Sequence, residues 1–170
     1  MSGGPRAAMA ASTLYERDFY AWTREQAAAL RRLADARWNG PLDLENLAEE
    51  IEDMGSDRLD AVLSQLERLL RHQLKLEHSA APLPRRQWLI TIDNARYEIG
   101  RRLSRSIHNV AETELPKLYA LARRNAAREL LDDGERKAAD ALPTENPYSL
   151  DLLLDEARYP ANRHGLVDEI

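Results

Sequence analysis

The stretch from Asp43 to Leu76 constrains the fold more than any other part of the chain. It reads DLENLAEEIEDMG and then SDRLDAVLSQLERLLRHQLKL, an acidic segment running into a Leu-rich one. In the second half Leu59, Val62, Leu63, Leu66, Leu70 and Leu74 recur at three- and four-residue steps, which lays an apolar seam along one side of a helix. The rest of the chain agrees. It holds 27 Leu and 25 Ala against 3 Val and 6 Ile. Leu and Ala lose little on entering a helix, whereas β-branched residues favour strands. The expected class is therefore all-α.

The same periodicity places the other elements. A first helix is expected from Leu14 to Ala36, with Tyr15, Phe19, Trp22, Leu30 and Leu33 on one face. Asn39-Gly40-Pro41 breaks the chain, and Asp43 is positioned to cap a helix whose stripe is Leu44, Leu47, Ile51 and Met54. Gly55-Ser56 reads as a stop and a fresh cap before the Leu-rich helix, which ends by Pro82 and Pro84. A third element starts near Arg85 with Trp88, Ile92, Ala95, Ile99 and Leu103 on its stripe. A fourth runs from about Glu112 to Leu131, with Pro116 in its first turns and Leu115, Tyr119, Ala122, Ala126 and Leu130 facing inward. A short helix follows over Glu135–Leu142, and Ser149 can cap a last turn, LDLLLDE. Short connections between apolar stripes imply an antiparallel helical bundle of four to five main helices with a short C-terminal helix. The expected organisation is a disordered tail over 1–12, a single helical-bundle domain over 13–156 and a loose tail over 157–170.

Composition excludes several classes. With no Cys there are no disulfides or thiolate metal sites, which fits a cytoplasmic protein. No apolar run approaches the roughly 20 residues of a membrane span. The opening MSGGPRAAMAAS has too weak an apolar core for a signal peptide. A net charge of −5 argues against a dedicated nucleic-acid binder. That charge is unevenly spread: residues 43–60 hold eight acids and one base, while residues 66–105 hold nine bases and four acids.

Some polar residues sit where helix periodicity expects apolar ones. Gln26 falls in the middle of the first helix's face, Arg96 between Ile92 and Ile99, and Glu129 near Ala122 and Ala126. Glu50 flanks Leu47 and Met54, while Glu49 points to solvent. A guanidinium keeps its proton, so a buried Arg96 needs acceptors, and Glu129 and Glu50 are the natural ones, with Gln26 to complete the network. Such a cluster is either a packing network that fixes helix register or a pocket for a small anion. His72 and Lys75 lie off the main stripe among Arg68 and Arg71, which reads as a solvated basic face. His72 and His78 are six apart and face different sides, so no metal site is assigned.

Read as an ordered series, these segments resemble a known family. Asp18-Phe19-Tyr20-Ala21-Trp22-Thr23, Leu42-Asp43-Leu44-Glu45-Asn46-Leu47 with Glu49-Glu50-Ile51, and Leu69-Leu70-Arg71-His72 with Lys75 are similar to the bacterial family called domain of unknown function 29. Trp88, Thr91-Ile92, Arg96, Tyr119, Ala122-Arg123, Glu129, Asn146-Pro147-Tyr148 and Asp155 continue the match over about residues 14–156. Gln73 departs from it, standing where the family more often has Leu, and Asn146 stands where Cys is frequent. The resemblance implies a bacterial, cytoplasmic, all-helical protein and assigns no catalytic residue or cofactor.

No Gly-rich phosphate loop, HExxH or nucleophile elbow occurs. The first functional expectation is a protein-interaction or regulatory module, self-associating as a homodimer or binding a protein partner. The second is a small anionic-ligand binder or enzyme using Gln26, Glu50, Arg96 and Glu129, with His72 and Lys75 as further candidates. The third is weak nucleic-acid binding through Arg68, Arg71, Arg85, Arg86, Arg101, Arg102 and Arg105, where only Trp88 offers stacking.

Overall fold

A computed structural model describes residues 13–167. Among them there are α1 (Phe19–Asp35), α2 (Leu44–His78), α3 (Arg85–Gly100), α4 (Arg105–Asp132), α5 (Arg136–Asp140) and α6 (Leu150–Leu154), with no strand. Residues 13–17 add a helical turn ahead of α1. The chain divides into two compact units. Of the described residues, one holds 13–61 with Arg102–Asn109, the other Val62–Arg101 with 110–167.

In the first unit the expected opening helix is interrupted at Asp18, because this residue caps two helices. Its Oδ1 accepts from the Ala21 N–H at 3.1 Å, starting α1, and from the Ser104 hydroxyl at 2.8 Å. Its Oδ2 accepts from the Ser106 N–H at 2.9 Å, in the first turn of α4. Burial works to raise the Asp18 carboxyl, but the bonds from Ser106, Ala21 and Ser104 outweigh it and hold it below its ordinary value. Ser104 and Asp18 together supply acceptors for the first N–H groups of α4. That helix therefore begins at Arg105, well ahead of the expected Glu112, and Pro116 lies in its interior. Asp43 caps α2 as expected, its Oδ1 accepting from the Asn46 N–H at 3.3 Å.

The expected stop at Gly55-Ser56 is absent, and α2 runs unbroken from Leu44 to His78. Gly55 serves a close approach instead of a break. A Cβ there would stand 2.1 Å from Thr23 Oγ1 and 3.1 Å from Thr23 Cβ. Thr23 is fully buried, and its hydroxyl donates back to the Tyr20 carbonyl at 2.8 Å. Thr23 against Gly55 and Arg31 against Glu52 (2.5 Å) set α1 antiparallel to the start of α2. This contact turns the face of α2. Leu44 and Ala48 are buried, while Leu47 and Met54, expected on the buried stripe, are exposed. Tyr15 and Leu33 of the expected first stripe are exposed too. Tyr15, Phe19 and Trp22 pack on one another, with ring centroids 4.8–5.7 Å apart.

The second unit holds most of the buried apolar side chains: Leu66, Leu69, Leu70 and Leu74 from α2, Trp88, Ile92 and Ile99 from α3, and Leu115, Tyr119, Ala122, Ala126 and Leu130 from α4. These match the expected stripes of α3 and α4 except for Leu103, which lies beyond the end of α3 and is half-buried. Each large side chain contributes roughly 1.5–3 kcal/mol when fully buried. In this unit α3 runs antiparallel to α2, with Trp88 against Lys75 and Arg85 at the Leu76 carbonyl. α2 and α4 are parallel, since their polar contacts rise in step: Asn125 to Glu67, Glu129 to Arg71 and Lys75, Glu135 to Ser79.

Ser149 caps α6 as expected, accepting from the Leu152 N–H at 3.2 Å. The chain beyond it is not loose. Asn162 Nδ2 donates to the carbonyls of Leu76 and Ser79, Arg163 pairs with Glu77, and His164 bonds the His78 carbonyl. Carbonyls left open at the end of α2 hold this segment. The tail expected over 1–12, and residues 168–170, lie outside the described residues.

The Gly55 contact is testable by substitution. Alanine in a helix interior gains about 1 kcal/mol over glycine, whereas overpacking costs about 1–3 kcal/mol. Gly55→Ala is expected to destabilise the wild-type chain in urea unfolding. In a Thr23→Ala background, where the nearest atom is gone, the same change should be less costly or favourable.

Candidate functional site

The residues picked from the sequence do not form one cluster. Arg96 is buried, as expected, but neither Glu129 nor Glu50 is its acceptor. Its Nε donates to the Leu153 carbonyl at 2.8 Å and its Nη2 to the Arg158 carbonyl at 2.6 Å. Carbonyls at the end of a short helix have no partner within it, so they are ready acceptors. The guanidinium lies over the Tyr159 ring, 5.0 Å from its centroid, and Tyr159 in turn donates to Asp93. Arg96 therefore fastens the C-terminal segment to α3. Gln26 and Glu50 belong to the first unit, Gln26 half-buried on α1 and Glu50 exposed on α2. Glu49 is exposed, as expected.

Glu129 instead meets the pair that the sequence assigned to a solvated face. Lys75, at 6% exposure, is buried. Its ammonium bonds Glu129 Oε2 and sits 5.0 Å from the centroid of the Trp88 ring. Arg71, one turn earlier on α2, gives Nη1 to Glu129 Oε1 at 2.6 Å. One carboxylate thus bridges two cations, one oxygen each. Behind them Glu67 Oε1 lies 3.6 Å from Arg71 Nε and accepts from Asn125 Nδ2 at 2.9 Å. Burial would raise the Glu129 carboxyl, but the Lys75 hydrogen bond and the charges of Lys75 and Arg71 prevail and hold it below its ordinary value.

His72 completes the cluster. It is half-buried, three residues before Lys75 on the same helix, and its Nδ1 lies 2.8 Å from the Arg68 carbonyl. A carbonyl only accepts, so Nδ1 carries the proton, and a neutral ring presents Nε2 as an acceptor. Burial first, with Lys75 and Arg71 adding to it, pushes this imidazole down to about 4, against the partial opposition of the Arg68 bond and Glu129. The ring is neutral at pH 7.

Helical periodicity alone could not place Lys75 and His72. What covers them comes from α3 and α4, far away in sequence, and Trp88 and Glu129 were each legible only as single residues. The basic face grouped from the sequence is also divided. Arg85 is buried and donates to the Leu76 carbonyl at 2.8 Å, and Arg71 is held by Glu129 and Glu67. Among the described residues no group of three or more His, Asp or Glu is arranged to hold a metal ion, and no helix is long and apolar enough to cross a membrane.

The first unit carries a second feature, an open polar cleft of about 560 Å³ between Arg24 and Arg31 of α1 and Glu45, Glu49, Glu52 and Asp53 of α2. Leu47 and Met54, two turns apart on α2, are exposed on the other side of that helix from the cleft.

A pH titration tests the state of His72. Its folded value lies below the ordinary 6.5, so the unfolded chain binds its proton first. Stability should therefore fall as pH drops from about 6.5 toward about 4. His78 is lowered as well, by burial, and contributes in the same direction. In His72→Asn the slope should be shallower, and NMR of the wild type should show one imidazole titrating near 4.

The family described as "Domain of unknown function DUF29" matches residues 14–159. A crystal structure of an alpha-helical protein of unknown function from Rhodospirillum rubrum is similar, with 27% identity and a TM-score of 0.73 over 84% of this chain and 89% of that one. No curated protein matches.

Proposed function

The chain belongs to the DUF29 family, which carries no assigned activity, and from that premise we propose that it is a protein-interaction module whose partner is a second copy of itself. One observation carries this reading. In the first unit Leu33, Trp38, Leu42, Leu47 and Met54 are 39–55% exposed, whereas Leu44 and Ile107 are its large buried aliphatic side chains. A unit that exposes more large apolar groups than it buries gains by covering them.

A two-fold interface requires each copy to present both halves of every contact. Leu33, Leu47 and Met54 are apolar groups that the same side chains of a second copy can meet, while the charged cleft lies on the other side of α1 and α2. A specific interface would cover roughly 800 Å² per copy. Arg96 gives Nε and Nη2 to the carbonyls of Leu153 and Arg158 and not to Glu50 or Glu129.

Sedimentation velocity tests the proposal. The full chain should move from monomer to dimer as concentration rises, and Leu47→Asp with Met54→Asp should abolish the dimer without unfolding the helices. A monomer at every concentration contradicts the reading, as does a dimer that those substitutions leave untouched.

A further inference from the structure

Most buried polar groups of the second unit are engaged in holding the fold. Arg96 fastens two carbonyls, Asn162 fills the end of α2, and Glu77 receives Tyr148 and Arg163. Arg96 Nη1, Gln73 Oε1 and His78 Nε2 are nevertheless buried without a hydrogen-bond partner, and in the Arg71–His72–Lys75–Glu129 cluster such an atom stands beside a second cation that shares the same carboxylate. Arg71 Nε is buried without a hydrogen-bond partner, and Glu67 at 3.6 Å is too far to serve. His72 offers Nε2 as an acceptor, since its proton is committed to the Arg68 carbonyl. Lys75 is held over Trp88 and cannot carry its charge out to water. The anion that satisfies both cations is a side chain, Glu129, which is itself 34% exposed.

We propose that this cluster binds a phosphate group and that the Glu129 carboxylate is a tethered plug which the phosphate displaces. Buried ion pairs seldom stabilise more than apolar residues of the same size, so this lysine contributes register and a fixed charge more than stability. The unfilled positions choose phosphate over a carboxylate. A carboxylate ligand brings acceptors only, which Glu129 already provides. A singly protonated phosphate brings oxygens for Arg71 Nε, Arg71 Nη1 and Lys75 Nζ, and one P–OH to donate to His72 Nε2. Arginine and lysine are the usual partners of phosphate, the first as a fork and the second as a point charge. On binding, Glu129 swings outward from its half-exposed position and carries its charge into water. The inference is independent of self-association.

The test uses the full chain with inorganic phosphate, glycerol phosphate and sulfate, read by calorimetry and by the His72 ring nitrogens in NMR. Removing the plug with Glu129→Gln should tighten phosphate binding by about tenfold or more, the opposite of what loss of a ligand contact would do. It should also make the melting temperature of that variant rise with phosphate. Glu129→Asp, too short to reach both cations, should lie between it and the wild type, and it serves if Glu129→Gln fails to fold. Arg71→Gln should lose binding in every background. Sulfate has no proton to give at pH 7, so it should bind more weakly than phosphate, and His72→Phe should erase that difference. Glycerol phosphate, whose second proton leaves at about pH 6, should gain in affinity as the pH falls from 7 toward about 6. The proposal is overturned if the folded Glu129 variants and the wild-type His72 resonances ignore phosphate, if Arg71→Gln binds as the wild type does, or if sulfate equals phosphate.

Discussion

Lys75 carries a charge into the seam between α2 and α4, where a side chain with 7% exposure needs an anion at hand. Glu129 is that anion, and its position sets much around it. It aligns α4 with α2 in parallel, one turn from the Asn125–Glu67 contact and close to the Glu135–Ser79 contact. It draws Arg71 to the same point and leaves His72 beside two cations, in surroundings that keep the imidazole neutral. Trp88 closes the seam from α3. An apolar core of leucines would hold these helices together without specifying their relative register. Polar pairs with directional bonds do specify it.

The first unit is built on different contacts. There a single carboxylate, Asp18, starts α1 and the first turn of α4, and a glycine, Gly55, lets a buried threonine approach a helix backbone. Both are economical devices that need little apolar surface, in keeping with a unit that leaves Leu47 and Met54 in the open. The same close approach that fixes α1 against α2 turns those side chains outward. The exposed face is thus a consequence of local packing, which ties the surface proposed for self-association to the residues that form the fold.

Much of the architecture was legible from periodicity. The stripes of α3 and α4 are buried as spaced: Trp88, Ile92, Ala95 and Ile99 on one, Leu115, Tyr119, Ala122, Ala126 and Leu130 on the other. Caps at Asp43 and Ser149 were also legible, because a cap acts within three residues of itself. What failed depended on distant partners. Gly55 looks like a helix stop until Thr23 is seen against it. Arg96 was correctly read as buried, but its acceptors are main-chain carbonyls, which no side-chain pattern can announce. Lys75 looks solvated on a helical wheel, because the wheel does not contain Trp88 or Glu129. Glu50, which the wheel set at the margin of the core, is exposed because α2 is rotated by the Thr23 contact. Sequence reading found the helices and the family. It found most members of the cluster singly and missed that they meet.

A double-mutant cycle between Lys75 and Glu129 tests the central pairing most directly. Unfolding free energies of the wild type, Lys75→Met, Glu129→Gln and the double variant give the coupling without assuming what either residue contributes alone. A bonded pair in this seam should couple by on the order of 1–3 kcal/mol, with the double variant less destabilised than the sum of the single ones. Additivity to within about 0.5 kcal/mol would mean that the two side chains do not depend on each other, and would contradict the account.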